Sequence, residues 1–371
     1  MSIALVHDWL NQVGGAEDVL IALKQLYPEA PVFTSIYAPA KMPAVMQGWD
    51  IRVNWLDRLP GIHDHHQPYL PLYPLGFAGV DLRAYDLVIS NKSGFCHGVR
   101  TAPAAAHICY CLAPTRYVWQ SAAYLAREGM PAALAAALRP ALALLRRWDF
   151  AAAQRVSHFL AISTEIQARI RRYYRRQSDL IHPPVDTDRF RPTGKPPEPF
   201  FLSLGRLIPY KRVDLAIEAC NQLGATLLVA GSGRDEPALR AIAGPTIHFL
   251  GRVSDADAAD LMARCQAFLF PGLEDFGITP LQAQAAGRPV IAFGGGGALD
   301  TVLPGQTGEH FAEQSVACLA AALARFDPAA YDPARCRTNA LRFSVERFAQ
   351  AFTAYVARVQ AGQQPQSAYA R

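Results

Sequence analysis

The 371-residue chain lacks several features that mark common classes of protein. No apolar run reaches the roughly 18 residues that a membrane-spanning helix needs. The seven cysteines are odd in number and scattered, and Cys109 and Cys111 alternate along a predicted strand, so we expect reduced thiols without a disulfide framework. No module typical of nucleic-acid binding is present, so we expect no nucleic-acid partner. These absences argue against a membrane-spanning, disulfide-stapled or nucleic-acid-binding protein and leave the function open.

Composition and the first residues agree with a soluble globular protein. Hydrophobic residues make up 51% and charged residues 18% of the chain. Residues 1–8 lack a basic region and reach a charge early, which predicts a buried strand rather than a signal peptide. We therefore expect a cytoplasmic protein.

Positive charge is concentrated in the first half, although the net charge is only +5. The crowded residues are Arg169, Arg171, Arg172, Arg175 and Arg176 on one predicted helix, with Arg139, Arg146 and Arg147 upstream. An apolar stripe lies beside them, formed by Ile166, Ile170, Tyr173 and Tyr174. We expect peripheral contact with an anionic membrane, at the cytoplasmic face of the inner membrane; the alternative is a solvated helix face.

Strand-like and helix-like segments alternate in both halves of the chain. The predicted strands are residues 2–7, 32–35, 50–53, 87–90, 107–111 and 159–162, and then 200–204, 226–230, 246–250, 267–271 and 290–293. Helices are expected at 120–155 and 164–174, whereas residues 55–80, rich in Pro and aromatics, predict a long functional or mobile loop. The pattern predicts an α/β protein of two Rossmann-like domains that face a cleft. We expect domains at 1–182 and 200–344, a proline-rich linker at 183–199, and a final helix and frayed tail at 345–371.

The segment that runs from Pro271 to Gln282 is the most informative motif. It places Glu274, Phe276 and Gly277 directly before a predicted helix, and Pro280 suits the first helical turn. The backbone N–H groups of such a helix start have no partner within the helix and form an anion site. A carboxylate beside a phosphate site indicates a pocket for a nucleotide sugar.

Three glycine-containing loops follow predicted strands. Gly205 precedes Arg206 and Lys211, two cations that suit a diphosphate. The alternative is a surface loop with ordinary basic residues. Gly15 follows Gly14 before a predicted helix, as in a loop that approaches phosphate, but a simple turn is the alternative. Gly231 and Gly233 form a third such loop, for which a tight structural turn is at least as good an explanation.

These motifs resemble those of the retaining GT-B glycosyltransferases of family four, whose signature is a Glu, seven residues and a second Glu, with Phe-Gly between them. The resemblance extends over nearly the whole chain and implies that the last helix crosses back to the first domain. It implies a catalytic role for Glu274 at the transferred sugar and for Arg206 and Lys211 at the diphosphate. The donor-binding residues that it implies are Gly15, Gly205, Gly231, Phe276, Gly277, Ile278, Thr279 and Gln282. It further implies no required metal, in line with the absence of a suitably placed Asp-x-Asp triplet, and no cofactor beyond a nucleotide-diphosphate sugar, with GDP favoured over UDP.

The first half resembles the polysaccharide-assembly mannosyl- and rhamnosyltransferases, which often read Tyr-x-His-Thr-Pro-x-Arg-Tyr. Here Leu112 and Ala113 replace the His and Thr, whereas Arg116 and Tyr117 match and are expected to bind the acceptor. Gln282 also departs from the family pattern, because it stands where the second Glu bonds the ribose. Two residues of the strand-to-loop segment 90–98 complete the expected acceptor contacts: Lys92 and His97. For His97, a loop histidine that bonds backbone is an equal alternative.

The resemblance implies a retaining hexosyltransferase. We expect it to move a mannose- or rhamnose-like sugar to a lipid-linked oligosaccharide or surface polysaccharide. The alternative, motivated by Leu112 and Gln282, is a catalytically impaired scaffold or binding subunit of a polysaccharide-assembly complex. The cluster from His63 to His66 resembles a metal site, but its spacing favours a polar loop, so no metal ligand is expected.

Overall fold

A computed structural model describes residues 1–121 and 131–362 of the protein. Part of the helix predicted at 120–155 and the tail predicted beyond residue 362 lie outside these residues. The chain divides into two compact units. The first contains Met1–Pro183 and the described residues from Phe348 on, and the second contains Pro184–Arg347.

The first unit is built on a seven-stranded sheet in which all neighbouring strands are parallel. Its strands are β1 Ile3–His7, β2 Val32–Thr34, β3 Ile51–Val53, β4 Leu87–Lys92, β5 Ala106–Cys111, β6 His158–Ala161 and β7 Asp179–Leu180, in the spatial order β3-β2-β1-β4-β5-β6-β7. The described α-helices are Gly15–Leu26, Tyr73–Ala78, Arg116–Trp119, Ala132–Ala137, Arg139–Arg155, Thr164–Tyr174 and Val345–Gln360. The order reverses between β1 and β4, and the carboxyl ends of the strands at such a reversal are where open α/β sheets bind ligands.

The second unit repeats this arrangement with a six-stranded parallel sheet. Its strands are β8 Phe201–Leu204, β9 Leu227–Ala230, β10 Ile247–Gly251, β11 Ala267–Phe270, β12 Val290–Phe293 and β13 Gly308–Phe311, in the order β10-β9-β8-β11-β12-β13. Its α-helices are Val213–Leu223, Glu236–Ala241, Asp255–Arg264, Ile278–Ala285, Ala298–Thr301, Val316–Ala324 and Pro333–Leu341. Here the order reverses between β8 and β11.

Strands β11 and β12 of the second sheet are apolar throughout because both faces are covered. In β11, Phe268 belongs to one core cluster and Leu269 to the other, as alternation along a strand requires. The same holds for Val290 and Ile291 of β12. A core on each face holds the loops at the carboxyl edge in fixed positions.

The final helix, Val345–Gln360, packs against the first sheet through its aromatic residues. The ring of Tyr110 in β5 lies 5.7 Å from Phe348 and 6.1 Å from Phe352. The hydroxyl of Tyr355 donates a hydrogen bond to Asp179 of β7 at 3.0 Å. From Phe348 on, this helix therefore belongs to the first unit, as the fold prediction requires.

Residues 183–199 form no helix or strand, and side chains of the second unit hold them in place. One guanidinium nitrogen of Arg337 donates to the carbonyl oxygens of Thr187 and Phe190 at 3.2 and 2.9 Å. Arg288 donates to the carbonyl oxygen of Lys195 at 2.8 Å. The proline-rich segment is thus irregular but fixed along the second unit.

Three details of the sequence prediction were wrong. Strand β4 extends to Lys92, because residues 91 and 92 continue the pairing with β5. The short strands β7 and β13 were missed. The 55–80 segment is not a featureless loop: it contains 3₁₀ turns at Trp55–Arg58 and Gln67–Leu72 and the helix Tyr73–Ala78.

Candidate functional site

In the second unit, the loops after β8, β9, β11 and β12 meet at one edge of the sheet, and glycines allow their close approach. A side chain at Gly231, after β9, would overlap the carbonyl oxygen of Gly205, after β8. A side chain at Gly297, after β12, would overlap the backbone of Phe276. Gly205 also has a φ of +151°, which disfavours other residues. The close packing at Gly231 therefore supports the interpretation that this glycine serves a tight structural turn.

Lys211 and Glu274 meet across the point where the strand order reverses. Lys211 follows β8, Glu274 follows β11, and the Lys211 ammonium donates a hydrogen bond to Glu274 Oε1 at 2.6 Å. The two side chains are 17% and 18% exposed, so the pair is partly covered but open to a ligand. Two residues that the sequence singled out 63 positions apart thus form one charged pair.

The helix Ile278–Ala285 begins beside Glu274. Gly277 precedes it with a φ of +96°, and Phe276 is buried, with its ring 5.8 Å from Phe343. Ile278 and Thr279 in the first turn are half-buried. The backbone N–H groups of this turn therefore lie near the ion pair, where a phosphate would find both donors and the positive end of the helix dipole.

Arg206 and Gln282 lie in the same unit, and their side chains have no partner among the described residues. Arg206 is exposed and forms no ion pair with any residue in the described ranges. Gln282 is half-buried, and its side chain makes no hydrogen bond to any described residue. Both are free to bind a ligand at little cost in internal contacts.

In the first unit, Asp8 organises the loop that follows β4. Its carboxylate accepts hydrogen bonds from the backbone N–H groups of Ser93 and Gly94, both at 2.6 Å, and of Cys96 at 2.8 Å. Gly15 begins the helix Gly15–Leu26, with Gly14 as the residue before it. The β1 and β4 loops are thus tied together at the reversal point of the first sheet.

Lys92 is fully buried, unlike the loop cation that the sequence suggested. Its ammonium donates to the carbonyl oxygen of Ala113 at 3.2 Å and to Thr115 Oγ1 at 3.1 Å. Burial is the largest single influence and lowers the pKa of Lys92, but the neighbouring groups, Asp149 first, together outweigh it and the pKa is raised, so the residue stays charged. Direct binding of an acceptor by Lys92 would require the removal of these partners.

Asp149 is the centre of a buried polar network that sequence reasoning missed. Its carboxylate accepts hydrogen bonds from Trp119 at 2.6 Å and Tyr174 at 2.8 Å, and lies 2.9 Å from Thr115 Oγ1. Burial raises its pKa, opposed by the charge of Lys92. The only local signal was a lone Asp within the apolar and basic helix Arg139–Arg155.

His97 belongs to the same network. It is buried, and its Nε2 lies 3.3 Å from the backbone oxygen of Asp149. Burial and the nearby Lys92 charge hold the pKa of His97 well below its usual range, so the ring is neutral. This geometry fits the alternative that a loop histidine bonds backbone, and it does not bring His97 to an open surface.

Arg116 and Tyr117 lie half-buried on a short helix that this network fixes from the inner side. Arg146 donates to the carbonyl oxygen of Val118 at 2.7 Å, and the ring of Trp119 stacks on Tyr173 at 5.1 Å. The predicted acceptor residues are therefore held by a rigid support.

The basic surface is smaller than the sequence predicted. Arg169 is buried against Glu165, and Arg176 donates to the carbonyl oxygens of Ala153 and Ser157. The exposed members of that helix and its end are Arg171, Arg172 and Arg175. Within the described ranges, no helix combines the length and apolar character needed to cross a membrane.

Two of the three histidines in the 63–66 segment make internal contacts. His63 Nε2 lies 2.9 Å from Asp57, and His66 Nδ1 lies 3.1 Å from the Asn11 amide. Among residues 1–121 and 131–362, no group of three or more His, Cys, Asp or Glu side chains is placed to hold a metal ion.

A comparison with models of protein families finds a match that lies within the second unit. Residues 185–342 match the family of group 1 glycosyl transferases. This range nearly coincides with the second unit, Pro184–Arg347. The match concerns this segment, which is less than half of the chain, and agrees with the coarse prediction made for the second half of the sequence.

Curated relatives are similar to part of the chain. A GDP-mannose-dependent monoacylated α-(1-6)-phosphatidylinositol monomannoside mannosyltransferase of Corynebacterium glutamicum is 39% identical over 115 residues, which is 27% of this chain and 30% of that protein. A glycogen synthase of Mycobacterium tuberculosis is 36% identical over 158 residues, or 38% of this chain and 36% of that protein. The matches thus span about a third of the length of these relatives.

The fold of the whole chain is similar to solved structures. A crystal structure of HepE from Anabaena in complex with UDP superposes with a TM-score of 0.70 at 17% identity, over 96% of this chain and 100% of that one. At this identity the likeness concerns the fold alone. The prediction of an α/β protein with two Rossmann-like domains is confirmed.

Proposed function

We propose that the protein is a retaining glycosyltransferase that moves a mannose- or rhamnose-like hexose from a nucleotide-diphosphate sugar to a lipid-linked oligosaccharide or surface polysaccharide. The second unit holds the donor, and the first unit holds the acceptor through Arg116 and Tyr117. The reaction needs no metal in this proposal, because cations and a helix start take its place.

The observation that carries this proposal is the Lys211–Glu274 pair at the reversal point of the second sheet. A cation for the diphosphate and a carboxylate for the sugar hydroxyls lie side by side, directly before the helix Ile278–Ala285. A sugar linked to a diphosphate presents hydroxyls and negative charge next to each other, which suits such a pair. Donor binding would exchange the internal ion pair for contacts with the ligand.

The chemistry follows from the charges that develop. The bond from the anomeric carbon to the diphosphate oxygen breaks, and the nucleoside diphosphate gains negative charge. Lys211, Arg206 and the helix start after Gly277 stabilise that charge. The acceptor hydroxyl attacks from the face that the leaving group vacates, and its proton passes to the departing diphosphate, so configuration is retained.

The donor and acceptor classes rest on similarity and surface chemistry. The Corynebacterium relative is named for GDP-mannose and for a phosphatidylinositol mannoside, which favours GDP over UDP and a lipid-linked acceptor. UDP stays open, since it occupies the Anabaena structure. The exposed Arg171, Arg172 and Arg175 would bring the cytoplasmic protein to an anionic membrane face.

Thermal stabilisation by GDP, UDP and ADP, measured in parallel, tests the donor site. A ligand at about 100 times its dissociation constant stabilises the folded state by roughly 2.7 kcal/mol, which gives a clear shift in melting temperature. We expect one diphosphate, GDP first, to shift the melting temperature at millimolar concentration. The absence of a shift with all three would contradict the proposal.

The second candidate, a catalytically impaired scaffold, rests on Gln282, whose neutral side-chain amide makes no hydrogen bond within the part of the chain that the structure describes. A Gln offers the ribose one acceptor oxygen and a donor where the family has a carboxylate. We expect Gln282→Glu to raise nucleotide affinity. We also expect the wild type, with Gln282, to be active in transfer. A wild type that binds nucleotide but transfers no sugar until Gln282→Glu is made would favour the scaffold.

A further inference from the structure

Trp9 follows β1 at the reversal point of the first sheet, and the proposed transfer does not use it. The residue is half-buried between fixed neighbours. Gly94 packs on it, since a Cβ at Gly94 would come within 2.9 Å of Trp9 Cζ3. The indole lies 5.0 Å from the ring of His66 and meets the edge of Tyr73 at 5.7 Å. Its position is thus fixed, while part of its surface stays open to solvent.

Asn11, two residues further on, has an unused acceptor. It is 7% exposed, and its amide nitrogen lies 3.1 Å from His66 Nδ1 and 3.3 Å from the carbonyl oxygen of His63. Its Oδ1 is buried and has no hydrogen-bond partner among the described residues. A buried carbonyl without a partner is unfavourable, so this oxygen calls for a donor from a ligand or water.

His66 supplies the complementary donor. Since Nδ1 accepts the hydrogen bond from Asn11, the proton of the neutral ring is on Nε2. Burial and the Lys41 charge lower the pKa of His66, which keeps the ring neutral. The group therefore combines an aromatic surface, one acceptor and one donor, without a net charge.

The chemistry of this group excludes an anion as its natural ligand. Lys41 is the nearby cation, and it is held by Asp64 at 2.6 Å and by the carbonyl oxygen of His63 at 2.8 Å. A pyranose ring fits instead, because its C–H face packs on an indole and its hydroxyls both donate and accept hydrogen bonds. Among Trp9, Asn11 and His66 themselves, a phosphate would find no cation.

We propose that Trp9, Asn11 and His66 form a subsite for a hexopyranose ring of the acceptor glycan. The proposal rests on the proposed function only in assigning this sugar to the acceptor. Binding itself requires no donor and no transfer, so it is tested separately.

The experiment measures binding of methyl α-D-mannopyranoside, methyl α-D-glucopyranoside and methyl α-D-galactopyranoside to the full chain by saturation-transfer NMR and titration. Glycerol is the polyol without a ring. We expect at least one glycoside to bind in the millimolar range, with about tenfold weaker binding in Trp9→Ala and a smaller loss in Trp9→Phe. Asn11→Ala should weaken binding to a similar extent. Trp49→Phe is the matched control, because half-buried Trp49 precedes β3 at the opposite edge of the sheet.

Melting temperature and GDP or UDP binding are measured on every variant as a check of folding. Wild-type glycoside affinity in Trp9→Ala would overturn the subsite, as would equal losses in Trp9→Phe and Trp49→Phe. Failure of all three glycosides to bind at 100 times the concentration used for nucleotide would also overturn it. In that case, retained nucleotide binding would leave the proposed function standing, whereas loss of both would remove the two proposals together.

Discussion

Each sheet carries a lysine–carboxylate pair near the carboxyl ends of its strands, but the two pairs have opposite environments. In the first unit, Lys92 and Asp149 are completely buried and both contact Thr115. In the second unit, Lys211 and Glu274 bond each other directly and stay 17–18% exposed. The first pair is satisfied by the protein, whereas the second can exchange its partner for a ligand.

The difference shows why a charged residue at this edge of a Rossmann-like sheet is not by itself a binding residue. Two buried opposite charges that are hydrogen-bonded through Thr115 stabilise one arrangement of their loops, and they cost much to disturb. A partly exposed pair costs little to separate. We therefore propose that Lys92 and Asp149 support the segment that carries Arg116 and Tyr117, and that Lys211 and Glu274 take part in the chemistry.

The largest expected effect comes from breaking the buried pair. Asp149→Asn keeps the shape of the side chain but leaves the Lys92 charge uncompensated in the interior. We expect a loss of about 3–5 kcal/mol in the free energy of unfolding, measured by urea denaturation. The double variant Lys92→Met/Asp149→Asn should recover part of this loss, because it removes the stranded charge. Additive losses in the double variant would show that the two groups are not coupled.

The exposed pair should respond in activity rather than in stability. Lys211→Ala removes a cation that acts on the leaving diphosphate, and we expect transfer to fall about 10²–10³-fold. The melting temperature should change little, because a partly exposed ion pair contributes little to stability. Arg212→Ala is the matched control, since Arg212 pairs with Asp214. Wild-type turnover in Lys211→Ala would contradict the assignment of the second unit.

The alternation of strands and helices could be predicted from the sequence because parallel strands covered on both faces are apolar runs. The motif around Glu274 could also be recognised from the sequence, because its residues are close together in the chain. Strand β7 was missed because it has two residues, and β13, Gly308–Phe311, because its sequence Gly-Glu-His-Phe carries no β-branched residue. Both are edge strands in their sheets.

The burial of Lys92 could not be predicted from local pattern. Its neighbours Asn91 and Ser93 are polar, so the segment resembles a loop. The partner that makes burial possible, Asp149, is 57 residues away on a helix that packs there only in the folded protein. Long-range charge pairing of this kind leaves no periodic signal in the chain, and the same holds for the orphan oxygen of Asn11.

Buried neutral histidines should make the first unit sensitive to acid. Burial lowers the pKa of His107 to about 3 and holds that of His97 well below its usual range. Below pH 6.5 the unfolded chain binds protons at these rings and the folded chain does not, so stability falls as pH falls, by up to about 1.4 kcal/mol per pH unit for each ring. Hydrogen exchange of the full chain between pH 6.5 and 5, corrected for intrinsic rates, should show loss of protection in the first unit before the second.

His107→Gln isolates one of these rings. The variant should lower the pH slope of the first unit by about 1.4 kcal/mol per pH unit, whatever its effect on stability at pH 8. His248→Gln, at an exposed position of β10 in the second unit, should leave the slope unchanged. Equal slopes in wild type and His107→Gln would mean that the ring is not buried in its neutral form.

The smallest expected effect is the change in nucleotide affinity in Glu274→Gln, and whether the affinity rises or falls distinguishes two roles of Glu274. If Glu274 bonds the Lys211 ammonium in the absence of ligand, then Glu274→Gln removes a group that competes with the phosphates for this cation. It also removes a negative charge that would repel the incoming phosphates. We expect the affinity for GDP or UDP, measured by calorimetry, to rise about three- to tenfold in this variant, in line with the modest worth of a partly exposed ion pair. Transfer should fall at the same time, because the carboxylate that orients the sugar is lost. The salt dependence of nucleotide binding should steepen, since Lys211 would then be free to meet the phosphates. Weaker nucleotide binding in Glu274→Gln would instead mean that Glu274 supports the diphosphate site through the Lys211 contact, which would make the exposed pair a structural element like the buried one.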